Sequence, residues 1–147
     1  MGKDHLRDYC TESFRFYAKV GGVKGYIEKL VEDYGKKLSS GSKDTSPTEG
    51  ALIIKERILR EHAAEFADLE AVEKVMYLLE MTPHNRGKVK QCVEIVYFTD
   101  SWRELIKGDI QERVHKAELR LPASKRQIYI WLKQARELFA VERGLRL

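Results

Sequence analysis

Between Ile128 and Phe139 the apolar residues Ile128, Trp131, Leu132, Ala135, Leu138 and Phe139 recur at i, i+3, i+4, i+7, i+10 and i+11. That spacing puts all six on one side of a helix. A helix with one continuous apolar side must bury it against another element. The rest of the chain is as hospitable to helices. Only three prolines and ten glycines interrupt 147 residues, and 43% of the residues are hydrophobic, enough for a packed core. The expected fold class is all-α, in one domain or two small ones.

Helix boundaries can be read residue by residue. Tyr9, Phe14, Phe16, Tyr17 and Val20 among charges predict a helix over Leu6 to Val20, interrupted by Gly21-Gly22. Tyr26, Ile27, Leu30, Val31 and Tyr34 mark a second. The stretch SSGSKDTS, Ser39 to Ser46, has linker-like composition and predicts an exposed loop. Ser46-Pro47-Thr48-Glu49 reads as a capping box with proline at the first helical position. It opens a helix carrying Leu52, Ile53, Glu56, Ile58, Leu59 and Ala63. Asp68 is the expected N-cap of the next helix, whose stripe is Leu69, Val72, Val75, Met76 and Leu79. Pro83 disfavours helical geometry at the residue before it. The chain therefore divides near Pro83 to Arg86, into a helical segment 1–84 and a segment 85–147.

In the second segment Val89, Cys92, Val93, Val96 and Tyr97 sit at helical spacing, although VEIVYF is β-prone in composition. Asp100 or Ser101 should cap a short helix through Trp102, Leu105 and Ile106, ended by Gly108. Asp109-Ile110-Gln111-Glu112 resembles a capping box and opens a helix with Ile110, Val114 and Ala117. Ser124-Lys125-Arg126-Gln127 is another, and the last helix should run to about Glu142 with Gly144 as its C-cap.

Charge separates the two segments. Residues 1–84 hold 13 Lys/Arg against 15 Asp/Glu, a net −2; residues 85–147 hold 14 against 8, a net +6. A basic half suits a polyanion, and equally a solvated basic surface. The stretch ERVHKAELRLPASKRQIYIWL reads as helix, tight turn, helix, with Ala117, Leu121, Ala123, Ile128 and Trp131 at the offsets that hold a helix-turn-helix together. Ser124 would bring the start of the second helix, with its free amides and positive dipole end, toward phosphates. Lys125, Arg126 and Lys133 would add phosphate contacts. Arg126 or Gln127 could pair with base edges, and Ile130 could meet a thymine methyl. By subtraction from the apolar side, Lys125, Arg126, Tyr129, Ile130, Lys133 and Arg136 face away from the core. The expected DNA-binding residues are Ser124, Lys125, Arg126, Gln127, Tyr129, Ile130 and Lys133. Trp102, Val114, Leu121, Ile128, Trp131, Leu132 and Leu138 are expected to be structural.

VEIVYF, a spacer, GDI and then LPASKRQIYIWLKQARELF together resemble the last conserved region of bacterial sigma factors. They are closer still to phage and prophage late-gene regulators of the ArpU and RinA type. The pattern L-x-[VI]-S-x-R-T-[VI]-Y-R-W-L of those proteins is matched at Leu121, Ala123, Ser124, Arg126, Ile128, Tyr129, Trp131 and Leu132. The chain departs from it at Pro122, Gln127 and Ile130, and it places Glu118 where helix-turn-helix motifs prefer a small residue. The resemblance spans Lys88 to Gly144. It implies a transcription regulator of phage or prophage origin, not an enzyme, that binds double-stranded DNA at a promoter alone or with RNA polymerase. Residues 1–84 would then be a scaffold, a dimer surface or a docking site for the polymerase.

Other classes find less support. His5, His62, His84 and His115 and the two cysteines form no CxxC, HxxxH or HExxH spacing, so no metal or cofactor is expected. His84-Asn85-Arg86 lacks the remainder of an HNH nuclease site. GGVKG, Gly21 to Gly25, lacks the strand and the Lys-Ser/Thr ending of a phosphate loop. Glu28/Glu32 and Glu61/Glu65 read as solvated ion-pairing residues. Cys10 and Cys92 read as free thiols or small apolar residues. The charged start MGKDHLRDYC is unlike a signal peptide, and no run approaches the roughly 18 apolar residues of a membrane helix, which makes the cytoplasm the expected location. Two alternatives stay open. A phage small terminase subunit also joins a helix-turn-helix to an oligomerising region, and a DNA-free module could use a basic helix to bind an acidic protein.

Overall fold

A computed structural model of the chain describes residues 4–38, 47–82 and 87–145. Among these residues it is all-helical. The elements are α1 (His5–Val20), α2 (Gly22–Leu38), α3 (Pro47–Glu61), α4 (Ala63–Met81), α5 (Lys88–Val93) running into a π-helical turn (Glu94–Phe98), α6 (Asp109–Arg120) and α7 (Lys125–Arg143). The Ser39–Ser46 loop, the capping box built on Ser46, and the Pro83–Arg86 boundary lie outside the described residues.

Local chemistry sets several of these boundaries. Asp4 opens α1 by accepting from the Arg7 amide at 2.9 Å. Gly21 closes α1 in the left-handed region, with φ 79°. Gly25 then lets α2 pass close to the end of α1: a Cβ there would lie 2.1 Å from the Val20 carbonyl oxygen.

The main core is drawn from both sides of the 84/85 division. Phe14 of α1, Val72 and Val75 of α4, Cys92 and Val93 of α5, Val96 of the π turn, Val114 of α6, and Ile128, Leu132 and Phe139 of α7 are all buried in it. α7 lies along α4, with α5 and α6 packed on it and α1 crossing both α4 and α7. A smaller cluster of Tyr26, Ile58, Phe66 and Leu69 attaches α2 and α3 to α4. The Leu69, Val72, Val75, Met76, Leu79 stripe and the Val89, Cys92, Val93, Val96, Tyr97 stripe are buried as their spacing predicts.

Three expectations are corrected. Asp68 does not cap a helix. α4 starts at Ala63, five residues earlier, after His62. The Asp68 carboxylate instead binds Tyr9 and Arg143. Residues 101–108 form turns and irregular chain rather than a short helix, and Trp102, expected in the core, is 72% exposed. The cause is the buried Arg15. Its guanidinium donates to the carbonyls of Tyr97, Thr99, Asp100 and Arg103, at 3.1, 3.3, 3.0 and 2.7 Å, and so takes acceptors that a helical turn would need. Asp109 forms no capping box either. Its carboxylate turns back to the Ile106 amide at 2.8 Å and to Arg103 at 2.8 Å, while the Glu112 amide goes to the Gly108 carbonyl.

Candidate nucleic-acid interface

α7 starts where its sequence says it should. Ser124 is extended, with φ −71° and ψ 156°, and its Oγ accepts from the Gln127 amide at 3.1 Å. The amides at the very start of such a helix have no partner within it and carry the positive end of the dipole. The helix continues to Arg143, and Gly144, with φ 72°, ends it in the left-handed region.

One side of α7 belongs to the core. Ile128, Trp131, Leu132, Ala135 and Phe139 are buried and Leu138 is half-buried. α6 packs on this helix through Val114 and Ala117, and the turn contributes buried Leu121 and half-buried Ala123. Glu118, the departure that the turn-spanning pattern makes conspicuous, stays out of that contact. It is half-buried beside His115, 3.4 Å from Nδ1, and Ala117 supplies the small buried residue.

The opposite side carries most of the expected site. Lys125, Arg126 and Lys133 are exposed, and Ile130 is 40% exposed. Arg126, Ile130 and Lys133 fall at i, i+4 and i+7 and so form one stripe. Among the described residues neither Lys125 nor Arg126 enters an ion pair. Lys133 has Glu137 at 3.9 Å in an exposed pair, too solvated to hold the ammonium in place.

Gln127 and Arg136 sit differently from the expectation, while Tyr129 is exposed as expected and also borders a cavity. Gln127 is half-buried, with its amide engaged by the cap. Tyr129 is 36% exposed and turns toward α1, where it lines a cavity of about 550 Å³ together with Arg7, Glu12, Ile106, Ile110 and Arg136. Arg136, expected to face solvent, is half-buried, and its Nη1 donates to the Tyr97 hydroxyl at 2.9 Å. The exposed stripe is therefore narrower than subtraction implies, because α1 closes one flank of α7. Sequence reasoning also passed over Arg120. It ends α6, is exposed, and is in no ion pair among the described residues. Its place directly before the turn was the available signal.

Several titratable side chains elsewhere are buried or paired. Burial pushes the Cys92 thiol up to about 12 and the Cys10 thiol up to about 11, so both are neutral and poor nucleophiles. His62 lies 3.4 Å from the Tyr26 hydroxyl and 4.0 Å from Glu65. Glu32 pairs with Lys36, and Glu61 with Arg57 and Tyr34. Among the described residues no group of three or more His, Cys, Asp or Glu side chains could hold a metal ion, and no helix is long and apolar enough to cross a membrane. Compared with protein families, curated proteins and solved structures, the chain finds no match.

Proposed function

We propose that the chain is a sequence-specific double-stranded DNA-binding protein that regulates transcription, and that it reads DNA with the first half of α7. The observation that carries this reading is the pair Lys125 and Arg126. Both are exposed and without an ion-pair partner among the described residues, and both stand at a serine-capped helix start whose other side is fixed in the core. Such a helix end offers an anion two free amides, a dipole and two cations at once. Lys125 and Lys133 hold phosphates, Arg126 reads a base edge, and Ile130 contacts a thymine methyl. Arg120 extends the phosphate-binding strip across the turn. The resemblance to phage and prophage late-gene regulators supports a role at a promoter, with RNA polymerase as a partner.

Fluorescence anisotropy with random duplex DNA at two salt concentrations tests this. Wild type should bind in a salt-sensitive way, and an Arg126→Ala/Lys133→Ala variant should lose that binding while keeping its helix content. No binding at low salt by folded protein would overturn the reading and favour a protein partner for the basic helix. A large ring in solution would favour the packaging role of a terminase subunit.

A further inference from the structure

The cavity that Tyr129 borders is walled by three separate parts of the chain. α1 supplies one wall, the 105–108 segment with the start of α6 another, and α7 the third. Its volume of about 550 Å³ falls in the range that takes a small organic molecule. The irregular wall is held in place from inside. Arg15 grips the Arg103 carbonyl at 2.7 Å, and the Asp109 carboxylate grips the Ile106 amide at 2.8 Å. A ligand entering here therefore finds its wall already formed.

The charges around the cavity indicate what it takes. Arg7, Asp8, Glu12, Lys107 and Arg136 line it. Asp8 is matched by Arg7 at 3.6 Å, and Glu12 lies in the field of the buried Arg15. Lys107 and Arg136 stand in no ion pair among the described residues. Arg136 is also the cation with a fixed place. Its Nη1 is tied to the Tyr97 hydroxyl at 2.9 Å, while Nε and Nη2 make no hydrogen bond among the described residues. Beside it stand the apolar side chains of Ile106, Ile110 and Leu132 and the ring of Tyr129. A positioned guanidinium with free N–H groups suits a planar anion, and the apolar walls suit a flat hydrophobic body. A phosphate would bring nearly two charges toward Asp8 and Glu12, whereas a carboxylate brings one. We propose that this cavity binds a small aromatic carboxylate, with Arg136 pairing with the carboxylate and Ile106, Ile110 and Leu132 packing on the ring. The inference does not depend on the DNA reading. If α7 does bind DNA, the ligand lies against the flank of that same helix, one residue from Ile130.

The test is calorimetric titration of the full chain, without DNA, with 2-naphthoate and with its neutral isostere 2-naphthamide. Amide NMR shifts locate the ligand, and circular dichroism controls for folding. Wild type should bind 2-naphthoate in the submillimolar range, with the largest shifts at Gly108 and Tyr129. The amide should bind at least about tenfold more weakly, as loss of a charge-assisted hydrogen bond implies. Arg136→Gln should weaken 2-naphthoate by a similar factor and leave 2-naphthamide unchanged. Ile106→Asp is a second arm that leaves the Arg136–Tyr97 hydrogen bond alone, at a side chain 69% exposed. It should weaken 2-naphthoate more than 2-naphthamide, and it decides the matter if Arg136→Gln does not fold. No binding of 2-naphthoate at millimolar concentration overturns the inference. So does equal affinity for the neutral isostere, and so do shifts confined to residues away from the cavity. Displacement of 2-naphthoate by an equimolar amount of inorganic phosphate overturns it as well, because the apolar walls would then contribute nothing.

Discussion

Asp68 holds Arg143 across the body of the protein, with Oδ1 of the carboxylate 2.7 Å from Nε of the guanidinium. The Tyr9 hydroxyl donates to the same oxygen at 2.6 Å. A mid-helix carboxylate on α4 thereby fixes the first helix and the end of the last. Both partners of the ion pair are largely shielded, with side chains 17% and 25% exposed, so the pair escapes most of the screening that empties surface salt bridges of value. Asp68→Asn should cost about 1–2 kcal/mol, read as a lower urea midpoint with an unchanged slope. Burial first, and Asp68 second, hold the Tyr9 phenol above its ordinary pKa. The same substitution should lower that pKa in a spectrophotometric titration. A variant as stable as wild type would show that the pair is only a surface contact.

Arg15 is the residue on which the 99–108 segment depends. It is buried and supplies donors to four carbonyls that follow or end the π-helical turn. Lysine offers a point charge where a planar fork spans several acceptors. Arg15→Lys should therefore lose about 2–4 kcal/mol, and Arg15→Ala about 3–5 kcal/mol, because the Tyr97 carbonyl is left buried and unpaired and three part-buried carbonyls lose a donor. Urea unfolding measures the loss. Hydrogen exchange should place the first loss of protection at the π turn and α6, since Arg113 also donates to the Val96 carbonyl there, at 3.1 Å.

The sequence reading succeeded where one helix decides its own fate. The stripe from Ile128 to Phe139, the cap at Ser124 and the stop at Gly144 are local statements, and each is found in place. VEIVYF is helical as its spacing predicts, wound as a π turn that closes where the Thr99 hydroxyl donates to the Ile95 carbonyl at 2.7 Å. Apart from Asp109, which is drawn off by Ile106 and Arg103 just before it, the errors involve partners distant in sequence. Asp68 looks like a cap until Tyr9 and Arg143 are beside it. The segment through Trp102 looks like a helix until Arg15, more than eighty residues earlier, takes its carbonyls. Arg136 looks solvated until Tyr97 accepts its proton donor. At the candidate interface the exposed stripe was legible from periodicity. Its narrowing by α1 was not, because nothing local to α7 records which helix crosses it.

Asp109 supplies a pH dependence with a definite sign. A hydrogen bond from Arg103, then one from the Ile106 amide, depress its carboxyl to about 2. In the unfolded chain the group titrates near an ordinary value of about 3.9. The folded form therefore binds this proton less readily. The stabilisation is fully present above the unfolded value and is lost as pH falls from about 4 toward about 2. Asp109→Asn should remove this component, so its stability should change less than that of wild type across that window. Thermal melts at a series of acidic pH values measure it. Parallel curves for the two proteins would mean that the carboxylate is not held in its charged form by Arg103.

Arg126 and Lys133 separate the two kinds of contact that the proposed interface requires. Both are exposed, so neither substitution should move the urea midpoint by more than about 0.5 kcal/mol. Arg126 stands in the first turn of α7, where a guanidinium can form a bidentate contact with a guanine edge. Arg126→Ala should therefore relax preference at one base pair by about 1–3 kcal/mol, measured by competition among duplexes that differ at a single position. Lys133 lies two turns further on, beside only Glu137, where its ammonium can neutralise a phosphate and carries no sequence information. Lys133→Ala should weaken binding equally on every duplex and flatten the plot of log affinity against log salt by about 0.9. The decisive comparison is between the two variants. If Lys133→Ala alters preference, or Arg126→Ala changes only the salt slope, the roles are assigned to the wrong residues. If neither substitution changes anything, DNA does not lie against this side of α7.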